Sequence, residues 1–231
     1  MTAGHDPLVR CTDVARTYGA GRAAVVAVHG VNCEVDAGEG IAIVGPSGSG
    51  KSTLLHLMAG LDDPTTGAIN WPALGDRAAL RPRLVGVVFQ GPSLLAPLDV
   101  EENVALPLVL GGTDPALAAE AARIALARVG LEDVPGMLPE ELSGGQAQRA
   151  AVARVLAARP RLILADEPTG QLDHVTGARV MDSLLATASD TGAALVVSTH
   201  DAAVAERLDR QWQIADGKLL GADRREASCS A

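Results

Sequence analysis

Apolar residues in this chain gather in short runs rather than in one long stretch. Leu8 to Cys11 and Val25 to Val28 read as short strands. The turn Asp36-Ala37-Gly38-Glu39-Gly40 follows and leads into the apolar strand Ile41 to Val44. A glycine loop comes next, and then Lys51 to Ala59, where Leu54, Leu55, Leu57 and Met58 predict a helix buried over much of its circumference. Pro64-Thr65-Thr66-Gly67 ends it and turns into a strand near Ala68 to Asn70. Val85 to Val88 is a further strand-length run. From Gln90 to Pro160 the strand pattern disappears. Proline and glycine punctuate the start of this stretch, and the alanine-rich segments Ala116 to Val129 and Ala147 to Ala158 predict helices. Strand signals return at Leu162 to Ala165 and Leu195 to Ser198 with the helical stretch Val175 to Ala188 between them, a βαβ spacing suited to a parallel sheet. The tail from Gly221 is small and polar, and mobility is expected there.

The chain has 231 residues, 48% of them hydrophobic, so it can bury a sizeable core and is not expected to be disordered. Its net charge of −9 argues against a nucleic-acid binder working through a broad basic surface. It does not argue against a phosphate ligand, which needs only a few N–H groups and a local cation. Cys11, Cys33 and Cys229 lie far apart in sequence without metal-ligand or redox spacing, which predicts free thiols in a reducing compartment. Met1 to Pro7 contain no apolar h-region, so a chain beginning near Met1 without a secretory signal is expected. No run of eighteen apolar residues occurs; a membrane role would need another chain to cross the bilayer.

Gly45-Pro46-Ser47-Gly48-Ser49-Gly50-Lys51-Ser52 satisfies the phosphate-loop pattern between a strand and a helix. Its glycines let N–H groups point inward, the helix N-terminus adds positive potential, and Lys51 supplies a point charge, while Ser52 is placed to ligate Mg²⁺. Leu162 to Ala165 ends in Asp166-Glu167, a pair able to divide the labour: Asp166 orients a metal's water shell and Glu167 polarises an attacking water. Val196 to Ser198 leads to His200, which alone reads as a polar cap and beside a phosphate loop as a group aligning water and phosphate. Gln90 follows Val87-Val88-Phe89 at the start of the helical stretch. Tyr18 precedes the loop and is the only tyrosine, suited either to surface packing or to stacking on a base. Leu142-Ser143-Gly144-Gly145-Gln146 has the S-x-x-Q spacing of a capping box, which accounts for Ser143 and Gln146. It leaves the glycines unexplained, since paired glycines weaken a helix start; close approach to a phosphate explains them better.

In this order these motifs resemble the ATP-binding-cassette (ABC) nucleotide-binding domains over nearly the whole chain, with Leu142 to Gln146 as the signature pentapeptide. The resemblance implies an α/β fold: a P-loop (RecA-like) core with a mainly parallel sheet, an N-terminal antiparallel β subdomain and an inserted α-helical subdomain. It implies one ABC ATPase domain over 1–231, with 1–90 and 159–231 as nucleotide-binding core and 91–158 as the helical signature subdomain. ATP and Mg²⁺ are the implied cofactors. Tyr18 would stack on adenine, Gly45 to Thr53, including Thr53 itself, would bind the phosphates, and Ser52, Gln90 and Asp166 would serve the metal. Glu167, His200 and Gln90 would serve hydrolysis. Ser143, Gly144, Gly145 and Gln146 would bind the γ-phosphate held by a second copy of the chain, and Asp173 would contact the opposite phosphate loop.

Gly60-Leu61-Asp62 and Ala165 to Asp173 resemble the lipoprotein-release, macrolide-export and cell-division-associated branch, which implies an integral-membrane permease on a separate chain and a peripheral, cytoplasmic location. Two positions depart from the branch: Gln171 stands where asparagine is usual, and Ala147 where a second glutamine is common. Gln171 puts in doubt the geometry of inter-site communication. Leu94, Leu95, Pro97 and Leu98 form an apolar segment that would either receive a permease coupling helix or close the subdomain's own core. A soluble ABC ATPase without a membrane partner is the alternative; the tandem cassettes, long insertions or basic arms usual in that class are not visible in this sequence.

Overall fold

The computed structural model describes residues 6–91 and 93–224. Strands β1 (Val9–Tyr18), β2 (Val25–Val35) and β4 (Thr66–Asn70) form an antiparallel sheet in the order β2-β1-β4. The second sheet has six strands: β3 (Gly40–Val44), β5 (Val85–Val88), β6 (Leu162–Asp166), β7 (Ala194–Thr199), β8 (Arg210–Ala215) and β9 (Lys218–Arg224). Their order is β5-β6-β7-β3-β8-β9, parallel throughout except for the antiparallel β8–β9 pair. Strands β6 and β7 are buried along their whole length, as expected of central parallel strands covered on both faces. The expected α/β class, with a mainly parallel sheet, an N-terminal antiparallel sheet and helices inserted after β5, is the architecture found.

Helix α1 (Lys51–Met58) buries Leu54, Leu55, Leu57 and Met58, as the sequence predicts. Between β5 and β6 the chain forms α2 (Val100–Leu110), α3 (Pro115–Arg128) and α4 (Gly144–Ala158), which pack on one another. The sequence reading lacked α2. Its start is nonetheless written in Asp99 and Glu102, which close a reciprocal capping box, while Pro107 inside the helix masks the pattern. Helices α5 (His174–Thr191) and α6 (Ala202–Ala205) complete the chain's helical complement among the described residues.

One expectation needs correction, and two features of the fold went unread. Gly221 to Arg224 do not trail away; they belong to β9 and pair with β8, so the mobility expected from Gly221 onward fails there, and its remainder lies outside the described residues. Strand β8 was not recognised from the sequence either, although Trp212 and Ile214 alternate with more exposed positions along it. Cys11 and Cys33 are distant in sequence but stand directly opposite each other in the β1–β2 ladder as free thiols. A hydrogen bond with Cys11 and burial push the Cys33 thiol well above its ordinary range. Cys229 lies outside the described residues.

Candidate active site

Register in the parallel sheet assembles the site. Val44 lies opposite Thr199 and Asp166 opposite Ser198, so β3, β6 and β7 deliver the phosphate loop, Glu167 and His200 to one carboxyl edge of the sheet. That edge is where open α/β sheets bind ligands.

The loop between β3 and α1 holds its shape through glycine. A Cβ on Gly45 would stand 2.1 Å from the Ile214 carbonyl oxygen, and one on Gly50 would stand 2.2 Å from that of Ala27, with Gly50 at φ 103°. No larger side chain fits either place. Gly50 is also the N-cap of α1 and offers no side-chain acceptor, whereas α2, α3, α4, α5 and α6 are all capped by Asp or Ser side chains. The first N–H groups of α1 are therefore left for an anion. Pro46, Ser47 and Gly48 are exposed on the loop's rim, while the buried Ser49 hydroxyl has no hydrogen-bond partner. These features fit a bound phosphate chain.

Lys51 is only 6% exposed, and its Nζ donates to the Gly45 carbonyl at 2.8 Å and the Pro46 carbonyl at 3.0 Å. A buried ammonium needs such partners. Glu167 Oε1 lies 3.9 Å from the same nitrogen, and Glu167 Oε2 lies 3.1 Å from His200 Nδ1, so one carboxylate links the buried lysine to the exposed histidine. Glu167 itself has φ 44°, a left-handed conformation that costs a non-glycine residue about 1–2 kcal/mol. A cleft of about 270 Å³, lined in part by Glu167, Asp173, Thr199, His200 and Arg207, opens beside the carboxylate.

Asp166 is buried and accepts a short hydrogen bond from the Ser198 hydroxyl. Among the described residues no group of three His, Cys, Asp or Glu side chains could hold a metal alone. Mg²⁺ takes one or two protein oxygens beside phosphate and water, and Ser52 and Asp166 are oxygen donors of that type. Gln90 is exposed after β5.

Tyr18, 40% exposed, donates its hydroxyl to Asp62 Oδ2 at 2.8 Å, and the Arg16 guanidinium sits 4.6 Å from its ring centroid. One ring face is thus already covered by a cation, leaving the other for a base. Arg16 completes the cluster with an ion pair to Asp62 at 2.8 Å. Desolvation pushes the Asp62 carboxyl up, but bonds from Tyr18, the Asp63 N–H and Arg16 outweigh it and hold the group below its ordinary range.

Ser143 to Gln146 stand apart from all of this. Among the described residues no hydrogen bond or ion pair joins them to the phosphate loop, Glu167 or His200. The capping box is real: Gln146 N–H donates to Ser143 Oγ at 3.3 Å and Ser143 N–H to Gln146 Oε1 at 2.9 Å. The helix accordingly begins at Gly144, three residues earlier than expected, with both glycines in its first turn. An added Cβ on Gly144 would meet nothing, so packing within the chain does not require glycine there. Asp173 caps α5 by accepting from the Val175 and Thr176 N–H groups, each at 3.0 Å, and from the Thr176 hydroxyl at 2.7 Å. The Thr176 hydroxyl, then its N–H, holds the Asp173 carboxyl below its ordinary range.

Sequence reasoning passed over the buried Gln148, the half-buried Arg154 and the buried Ser198. Gln148 on α4 donates to the Phe89 carbonyl at 3.0 Å, and Arg154 on the same helix donates to the Ser93 carbonyl at 2.9 Å. The helix that starts at the glycine pair is thereby tied to both flanks of Gln90. Burial lowers the Arg154 pKa. The third group, Ser198, interrupts an apolar strand, which is the signal that could have found it.

The family described as ABC transporter matches residues 28–170. The chain is 42% identical over 225 residues to the lipoprotein-releasing system ATP-binding protein LolD 2 of Rhodospirillum rubrum, covering 94% of this chain and 97% of that protein. It is 41% identical over 222 residues to LolD of Legionella pneumophila, covering 93% and 98%. Its fold is similar to the dimeric post-hydrolysis structure of the ATP-binding cassette MJ0796 bound to ADP and Pi, with a TM-score of 0.87, 36% identity, and 95% and 99% of the two chains covered.

Proposed function

The chain belongs to the ABC transporter family of ATP-binding cassettes, and from that premise we propose that it is the Mg²⁺-dependent ATPase subunit that drives a separate membrane permease by closing and reopening as a homodimer. The observation that carries this reading is the separation within one chain of two complementary halves. The Lys51–Glu167–His200 cluster occupies the sheet edge, and the glycine-started α4 offers a second phosphate-binding helix end that, among the described residues, makes no hydrogen bond or ion pair to it. Two copies placed head to tail make both halves useful.

In this reading residues 1–90 and 159–231 form the nucleotide-binding core and 91–158 the signature-bearing helical subdomain. The N–H groups from Gly45 to Thr53 and the Lys51 ammonium cradle the β- and γ-phosphates, and Tyr18 stacks on adenine. Ser52, Asp166 and Gln90 would hold Mg²⁺, which would supply charge neutralisation at the phosphates. Glu167 takes a proton from the water that attacks the γ-phosphorus, so that ATP and water give ADP and phosphate. His200 Nδ1 lies 3.1 Å from Glu167 Oε2, so the ring stands beside the carboxylate that it keeps in line with the water and the γ-phosphate. Ser143 and the N–H of Gly145 in the second copy close over that phosphate, and Asp173 works across the same interface. Truncating Tyr18 to alanine is expected to weaken Mg-ATP binding about tenfold, in line with roughly 1–3 kcal/mol per stacked base, as read by fluorescent-nucleotide titration.

Among the described residues no helix is long and apolar enough to cross a membrane. We therefore assign membrane attachment at the cytoplasmic face to the permease. Leu94 packs on the chain's own core, whereas Leu95 is 48% exposed, and it is Leu95 that we assign to the permease coupling helix. Purification from detergent-solubilised membranes is expected to recover an integral-membrane permease with the wild type. Leu95→Glu is expected to lose that partner and keep basal ATPase activity. Recovery only of ribosomes or DNA-repair proteins would favour a soluble ABC ATPase instead.

A further inference from the structure

We propose that Ser198 is a positioning residue for hydrolysis: its single hydroxyl clamps the Asp166 carboxylate to the backbone of Glu167 across the β6–β7 pair. The inference rests on the reading that Asp166 serves the metal and Glu167 the attacking water.

Strands β6 and β7 are otherwise apolar where they face each other: Leu162, Ile163, Leu164 and Ala165 lie against Ala194, Leu195, Val196 and Val197. Ser198, in register with Asp166 and with no solvent exposure, breaks this run. A hydroxyl placed there is costly unless both its donor and acceptor capacities are used. Both are. The proton goes to Asp166 Oδ1, and the oxygen accepts the Glu167 N–H at 3.2 Å. The same N–H also reaches the Ser198 carbonyl at 3.1 Å, so the left-handed Glu167 backbone, φ 44°, is held by two acceptors of one residue.

The geometry gives the hydroxyl two tasks. It fixes the rotation of the Asp166 carboxylate by engaging Oδ1, while Oδ2 takes no hydrogen bond from the described residues. It also fixes the peptide from which the Glu167 side chain reaches towards Lys51 and His200. Because Thr199 ends the same strand and His200 follows directly after it, one residue keeps the metal carboxylate, the water-activating carboxylate and the histidine in common register.

Ser198→Ala removes the hydroxyl without adding bulk. With Mg-ATP we expect kcat to fall about tenfold, the Mg²⁺ concentration for half-maximal activity to rise several-fold, and nucleotide affinity to change less than about twofold. Ser198→Thr, which restores the hydroxyl, should recover most of the loss. In the Glu167→Gln background at saturating Mg²⁺, Ser198→Ala should change residual turnover less than about twofold, because the carboxylate it positions for the water is already gone and excess metal compensates the Asp166 half of the clamp. Wild-type kcat and Mg²⁺ dependence in Ser198→Ala would overturn the clamp. So would an equal fractional loss in the Glu167→Gln background at saturating Mg²⁺, which marks general damage to the fold. Wild-type turnover by Glu167→Gln alone would instead overturn the role given to Glu167, and the Mg²⁺ shift of Ser198→Ala would still decide the Asp166 half of the clamp.

Discussion

Glu167→Gln is expected to bind Mg-ATP, lose most of its turnover and accumulate as an ATP-bound dimer. General-base catalysis contributes on the order of 10²–10⁴ in rate, and the amide has the shape of the carboxylate without its basicity. The loss should fall on the chemical step because the binding elements do not depend on Glu167. Lys51 keeps its bonds to the Gly45 and Pro46 carbonyls, and the glycine geometry of the loop is set by Ile214 and Ala27. Removing the carboxylate also removes a negative charge 3.9 Å from the lysine that is to meet the γ-phosphate, so ATP should bind at least as tightly. Size-exclusion chromatography with Mg-ATP reads the result. A variant that stays monomeric at saturating nucleotide would count against the two-site reading.

The legible parts of this chain were those governed by local rules. The phosphate loop, the Asp166-Glu167 pair and His200 each sit directly after an apolar run, and a strand followed by a polar cluster is readable without tertiary information. What escaped detection depends on contacts between distant segments. Cys11 meets Cys33 only because β1 and β2 pair in one particular register. Strand β9 becomes a strand because β8 offers it a ladder, so a small, polar segment read alone gives no signal. Gln148 and Arg154 lie on a helix whose periodicity explains them as ordinary polar positions; only the fold brings Phe89 and Ser93 beneath them. Helix α2 was hidden by Pro107, although its capping residues were in plain view.

The signature glycines allow a test in which the isolated chain and the dimer give opposite answers. Gly144 is exposed at the first position of α4, and a Cβ added there meets no described atom within 4 Å beyond its own helix backbone and chain neighbours. An aspartate at that position also lies in the first helical turn, where a negative charge stabilises the helix by about 0.3–1 kcal/mol. Gly144→Asp should therefore melt no lower than the wild type. Its nucleotide affinity as a monomer should also hold, since among the described residues no hydrogen bond or ion pair links the segment from Ser143 to Gln146 with the phosphate loop. Across the dimer interface the same carboxylate would face the partner's γ-phosphate. Two like charges about 4 Å apart repel by roughly 4 kcal/mol at an effective dielectric of 20, on the order of a thousandfold in association. Combined with Glu167→Gln, the substitution is expected to abolish the ATP-dependent shift to a dimer in size-exclusion chromatography. If the double variant still dimerises with ATP, the start of α4 does not face a phosphate, and the capping box is sufficient reason for Ser143 and Gln146.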